Sequence, residues 1–277
     1  MKKILVPTDF SDCAKVAEDI GLVIAKKANA EIHFLHLLTT PVDWIKLPLE
    51  KEKLYPEIKA QIGHANNELG KLKRGAEKLG LKAEQFLTFE KGQEEIDQHI
   101  KSHQHDFIVM GSHGTKGFKE IIGSNTQRVV RYSQVPVLAV KKKPKKFEVK
   151  NIVFAANFEE DVQKPLHKVI EFADLMKAQI HLLYVNMPFR FKETDEVEAN
   201  MKDFLKKCPR GMCTINIYNA LNEERGIQKF AEAIKADMIA LSTHGKTGFK
   251  KMISPSIAEN LVNHANIPIL SINVNSL

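Results

Sequence analysis

The sequence predicts an α/β protein of two tandem doubly wound domains, each with a five-stranded parallel sheet flanked by helices. Three observations lead there. Short β-rich runs alternate with longer segments whose apolar residues recur at helical spacing. The order of those runs in the first half returns in the second. A chain of 277 residues with 43% hydrophobic content is long for one domain and comfortable for two.

In the first half the strand-like runs are "ILVPT" at 4–8, "EIHFLHLL" at 31–38, "EQFLTFE" at 84–90, "DFIVMG" at 106–111 and "VPVLAV" at 135–140. They are apolar along their whole length, as strands covered on both faces are. The first helix is expected over 11–28, with Ser11 as N-cap and Val16, Ile20, Val23 and Ile24 on its buried face. "KLPLEKEKLYPEIKAQ" at 46–61 is amphipathic and bounded by prolines, a candidate lid or contact surface. "QEEIDQHIKSH" at 93–103 and "SNTQRVVRYS" at 124–133 read as two further helices.

The second half repeats this order. "KKILVPTDFSD" at 2–12 returns as "KNIVFAANFEE" at 150–160, and "ANAEIHFLHLL" at 28–38 as "MKAQIHLLYVN" at 176–186. "HDFIVMGSHGTKGFK" at 105–119 matches "ADMIALSTHGKTGFK" at 236–250, and "VPVLAV" matches "IPILSI" at 267–272. The expected domains are therefore 1–140 and 150–277. A lysine-rich linker at 141–149, opening "KKKPKK", joins them.

Composition narrows the function classes. No stretch of 18 apolar residues is present to span a bilayer, and Asp9 interrupts the N-terminus too early for a signal peptide, so a cytoplasmic location is expected. Cys13, Cys208 and Cys213 form neither a disulfide framework nor a metal knuckle and are read as packing residues. Much of the net charge of +7 sits in the linker, a solvated run rather than a nucleic-acid surface. His99 and His103 have the i, i+4 spacing of metal ligands, but no HExxH pattern accompanies them. With His105 they are read as a solvated helix end and not as a metal site. His113 and His244 recur in corresponding loops and suggest a loop-shaping hydrogen bond.

Four of the chain's 14 glycines fall in "GSHGTKGFKEIIG" at 111–123, between the fourth strand and the next helix. In open α/β sheets ligands bind beyond the carboxyl ends of the strands, where strand order reverses. Asp9 leaves the first strand and the glycine stretch leaves the fourth, so both line one crevice if those strands are neighbours. Gly111 and Gly114 would admit close backbone approach, and Gly123, Ser124 and Asn125 open a helix whose free N–H groups suit phosphate. There is no GxxxxGK[ST] and no GxGxxG, which leaves out P-loop NTPases and Rossmann dehydrogenases.

With "VPTDFS", "LHL" and this glycine stretch, the chain resembles the universal stress protein family in its tandem two-domain form. Nucleotide-binding members of that family carry Gly-x2-Gly-x9-Gly-Ser/Thr. Gly111, Gly114, Gly123 and Ser124 match the types, with only eight residues between Gly114 and Gly123. The resemblance implies an ATP site in the first half, for free or Mg-bound nucleotide. Pro7, Thr8 and Asp9 would face the nucleoside, Leu37 the adenine, and Val109 and Met110 the ribose. Gly111, Gly114, Gly123, Ser124 and Asn125 would hold the phosphates. Lys116 and Lys119 are placed to neutralise charge, an inference from position alone. Each residue also has a plainer role: Asp9 as a helix cap, Leu37 as core, Ser124 as an N-cap, the lysines as solvated surface.

In the second half Ser242 stands for Gly111, Pro255 for Gly123 and Asn157 for Asp9. Proline removes an N–H donor at the phosphate turn, so this half is expected not to bind nucleotide. The resulting expectation is an ATP-binding stress-response regulator with no dedicated catalytic residue and at most slow ATP hydrolysis. The alternative is a nucleotide-free interaction scaffold of the same fold, recognising a protein partner. The resemblance further implies that the last strands of the two halves pair, an intramolecular pseudo-dimer with homodimerisation left open.

Overall fold

The computed structural model describes residues 1–90, 95–112, 126, 129–130, 133–142, 146–158, 162–207, 213–243 and 255–274. It divides into two compact units, Met1–Gly111 and Ser112–Leu277.

Unit 1 runs β1 (Lys3–Pro7), α1 (Asp12–Ala28), β2 (Glu31–Thr39), short 3-10 turns at Trp44–Lys46 and Lys51–Leu54, α2 (Pro56–Lys78), β3 (Ala83–Glu90), α3 (Glu95–His103) and β4 (Phe107–Gly111). Its strands lie in the order β3-β2-β1-β4, all parallel. Strand order therefore reverses at β1, between β2 on one side and β4 on the other. β1 and β4 are neighbours, with Ile4 opposite Phe107 and Leu5 opposite Ile108, so the two strand ends that the sequence reading assigns to one crevice lie side by side.

Helix α1 shows why the local sequence folds as it does. Ser11 Oγ accepts from the Ala14 N–H at 3.2 Å, Asp12 sits in the first turn and Lys26 and Lys27 in the last, each sign matching the helix dipole. Asn29 ends the helix in the left-handed region at φ 50°. The buried face comprises Ala14, Val16, Ala17, Glu18, Ile20, Gly21, Ile24 and Ala25. Val23, expected on that face, is 38% exposed. The stripe follows alanines and Gly21 instead, because a side chain at 21 would come within 2.8 Å of Val6 Cγ2. Of the expected lid segment, only the part from Pro56 onward is regular helix, and Leu49 and Leu54 ahead of it are exposed.

Unit 2 runs β5 (Val137–Val140), β6 (Asn151–Ala155), α4 (Gln163–Met176), β7 (Gln179–Asn186), a 3-10 turn at Pro188–Arg190, α5 (Thr194–Lys207), β8 (Cys213–Asn219), α6 (Glu223–Ala233), β9 (Met238–Thr243), α7 (Pro255–His264) and β10 (Ile269–Asn273). The strand order is β5-β10-β9-β6-β7-β8. All these pairs are parallel except the first: β5 lies antiparallel to β10, with Leu138 opposite Leu270. The last strands of the two sequence repeats thus pair, as the resemblance implied. All four β5 side chains are buried, and further bonds tie neighbouring segments of the first repeat into unit 2. The Ser112 N–H donates to Val140 O at 2.7 Å, and Ser271 Oγ to Val130 O at 3.1 Å. Of the helix expected over 124–133, Thr126, Val129 and Val130 are described, helical and buried. Among the described residues no helix is long and apolar enough to cross a membrane.

Candidate functional site

The first site element is the segment leaving β1. Thr8 is buried and fully wired: its N–H donates to Leu35 O at 2.8 Å, and His36 Nδ1 donates to its carbonyl at 2.8 Å. Its hydroxyl donates to Glu18 Oε1 at 2.5 Å and accepts from the Phe10 N–H at 3.0 Å. Burial pushes the Glu18 carboxyl above the usual carboxylate range, and the Thr8 hydroxyl bond opposes that rise. Asp9, one residue on, is exposed. Its Oδ1 accepts from the Ser11 N–H at 3.0 Å, which fixes the carboxylate at the mouth of the crevice and steadies the residue that caps α1.

Phe10 then adopts φ 62°, a left-handed backbone that costs a bulky residue of order 1–3 kcal/mol. Its ring stacks on His36 at 4.7 Å and 29°, beside the edge of His64 from α2 at 6.0 Å. The strain recurs in unit 2, where Phe158 has φ 57° and packs against Phe154 and Phe204. A left-handed phenylalanine after β1 and after β6 is therefore a property of the repeated unit.

The second element is the end of β4. Val109 and Met110 are buried. Gly111 is only partly covered, and a Cβ there would lie 2.6 Å from Cys13 O and 2.9 Å from Ala14 N. Glycine is required at 111 so that the first turn of α1 can close over the strand end, a reason for its presence that needs no ligand. Leu37, near the carboxyl end of β2, is half-buried, two residues beyond the partner of Pro7. Pro7, Thr8, Asp9, Leu37, Val109, Met110 and Gly111 thus gather at the carboxyl ends of β1, β2 and β4. Gly114, Gly123, Ser124 and Asn125, with Lys116 and Lys119, lie outside the described residues, as do His113 and His244.

Sequence reasoning missed Glu18, His36 and Phe10, which hold the Thr8–Asp9 segment. Their only signal is the "TDF" triplet followed by a glutamate on the apolar face of a helix. It also misplaced two histidines: His99 and His105, read as a solvated helix end, are 7% and 4% exposed. The reason is that α3 packs its carboxyl-terminal turn against β3 through Phe86, which lies 4.7 Å from the His99 ring. Among the described residues no group of three or more His, Cys, Asp or Glu is arranged to hold a metal ion.

In unit 2, Ser242 and Thr243 end β9 where β4 ends in Gly111. Both are fully buried, and neither hydroxyl has a hydrogen-bond partner among the described residues. Helix α7 begins at Pro255, the residue aligned with Gly123, so its first position has no N–H to offer a ligand.

Comparison with known proteins gives the family context. The family model described as the universal stress protein family matches residues 1–141 and 221–273. Universal stress protein MJ0531 of Methanocaldococcus jannaschii is 34% identical over 147 residues, covering 52% of this chain and 84% of that protein. Universal stress protein Slr1230 of Synechocystis is 21% identical over 296 residues, covering 98% of this chain and 99% of its own. The crystal structure of a universal stress protein from Archaeoglobus fulgidus superposes with a TM-score of 0.73 at 21% identity, covering 98% of each chain.

Proposed function

Because the chain belongs to the universal stress protein family, we propose that it is a nucleotide-binding regulator that holds one ATP at the carboxyl ends of β1 and β4. The observation that carries this reading is the exposed Asp9 carboxylate, fixed by Ser11 at the mouth of the crevice where strand order reverses. Asp9 offers acceptor oxygens to the hydroxyl or amino donors of a nucleoside, and Leu37 an apolar contact for the base. The bonds from Leu35, His36 and Glu18 pre-position the Thr8–Asp9 segment, so little ordering is required when a ligand arrives.

In this reading Gly114, Gly123, Ser124 and Asn125 hold the phosphates by backbone N–H groups, with Mg present or absent. The second half holds none, since Pro255, Ser242 and Asn157 replace the residues that would do so. In this reading occupancy rather than turnover carries the signal in a cytoplasmic stress response. A nucleotide-free scaffold that acts through a protein partner is the second reading. It is favoured by the packing of Gly111 against α1, which accounts for that glycine without a ligand.

Calorimetric titration of the nucleotide-stripped protein with MgATP separates the two. One site per chain, lost in Gly114→Val, is the expected result. Two sites would overturn the assignment to the first half, and no heat at any concentration would leave the scaffold reading.

A further inference from the structure

At the amino end of the unit 1 sheet, away from the crevice, four histidines come together. His33 lies on β2, His99 and His103 on α3, and His105 in the turn before β4. Their ring centroids are 4.8 Å apart for His33 and His105, 4.1 Å for His99 and His103, and 5.4 Å for His99 and His105. Phe86 of β3 packs among them, 4.5 Å from His103 and 5.3 Å from His33. A cluster of imidazoles with so little water must manage its protons through its own hydrogen bonds.

Those bonds fix the tautomers. Glu31 Oε1 lies 3.0 Å from His33 Nε2 and accepts its proton, so His33 Nδ1 is an acceptor. It takes the Nε2–H of His105 at 2.9 Å, which leaves His105 Nδ1 as a bare lone pair. That nitrogen and His99 Nε2 are buried with no partner among the described residues. A further proton on either ring would create a buried N–H with no acceptor, in a cationic ring shielded from water. The surrounding charges offer little relief. Glu31, beside Lys82, is already engaged by His33, and Lys3 Nζ donates to His103 O at 3.2 Å and adds positive charge. Asp106 is occupied by the N–H groups of Lys2 and Lys3, and Lys101 of α3 is exposed.

We propose that this cluster is an acid-sensitive latch: neutral imidazoles hold α3 and the start of β4 on the sheet, and protonation of His99 and His105 in mild acid releases them. Burial first, and the neighbouring histidines second, hold His99 down at about 4 and His105 at about 3. The released segment titrates near the ordinary imidazole value of about 6.5. With folded values below the released ones, the latch is fully closed above about pH 6.5 and weakens as pH falls. Each imidazole contributes up to about tenfold per pH unit to the open-to-closed ratio, so the two together approach about 100-fold. The latch does not depend on the nucleotide reading.

Amide hydrogen exchange from pH 7.5 to 5.0, corrected for intrinsic rates, tests this on the full chain, with α5 of unit 2 as reference. The expected result is that opening of α3 rises by about 100-fold per pH unit below pH 6 while α5 does not follow. His105→Gln keeps an N–H for His33 but cannot titrate there, and the slope should fall to about tenfold. His99→Phe gives the same reduction by a change that fills the site with an apolar ring, so the test survives if either variant fails to fold. An α3 opening rate indifferent to pH, an equal rise in α5, or a wild-type slope in a folded variant would each overturn the latch.

Discussion

Glu223 at the start of α6 is held up to about 7 by burial, against the pull of Arg190. Its folded value lies above its unfolded one, so the stability it adds is fully present below about pH 4.5 and is lost as pH rises through about 7. Glu223→Gln should therefore flatten the pH dependence of the urea midpoint between pH 5 and 8. An unchanged profile would mean the carboxyl is solvated. Gly111 makes a second test at this scale. Gly111→Ala forces a Cβ against the Cys13 carbonyl, and the cost should be about 1–3 kcal/mol in urea unfolding followed by Trp44, the single tryptophan. A neutral substitution would show that α1 can step back from β4.

At the scale of elements, Ser11→Ala removes the bond to the Ala14 N–H and should lower stability by about 1 kcal/mol, read from the same Trp44 transition. Leu138→Ala in β5 is expected to cost about 2–5 kcal/mol, because the residue is fully buried opposite Leu270. Faster amide exchange in β10 and β9 than in β1 and β2 would confirm where that strand belongs. The alternation of strands and helices was legible in the sequence because period 2 and period 3.6 are local properties, and the repeat doubled the signal. The pairing of β5 with β10 was legible only through family resemblance, and its antiparallel direction not at all, since direction leaves no mark on "VPVLAV". Of the candidate site, Asp9 and Gly111 were visible as residue types at strand ends. The Thr8–Glu18 bond, the Phe10–His36 stack and the histidine cluster were not, because each joins residues whose proximity exists only after the sheet has formed.

For the whole molecule, one bound nucleotide should stabilise the fold by a readable amount. At a nucleotide concentration about 100 times Kd, binding adds about 2.7 kcal/mol. The Trp44 unfolding transition should rise by that amount with MgATP in the wild type and not in Gly114→Val. A transition indifferent to MgATP, or the same rise in Gly114→Val, would contradict a site built on β1 and β4. The seating of β5 in unit 2 has a further consequence, for the order of events during synthesis. Val137–Val140 leave the ribosome well before their partner Ile269–Asn273, which is made 129 residues later. At ~5–20 residues per second the strand waits on the order of ten seconds with an unpaired apolar edge. Translation speed over the second half therefore sets how long a nascent chain remains open to capture by its neighbours on the same message.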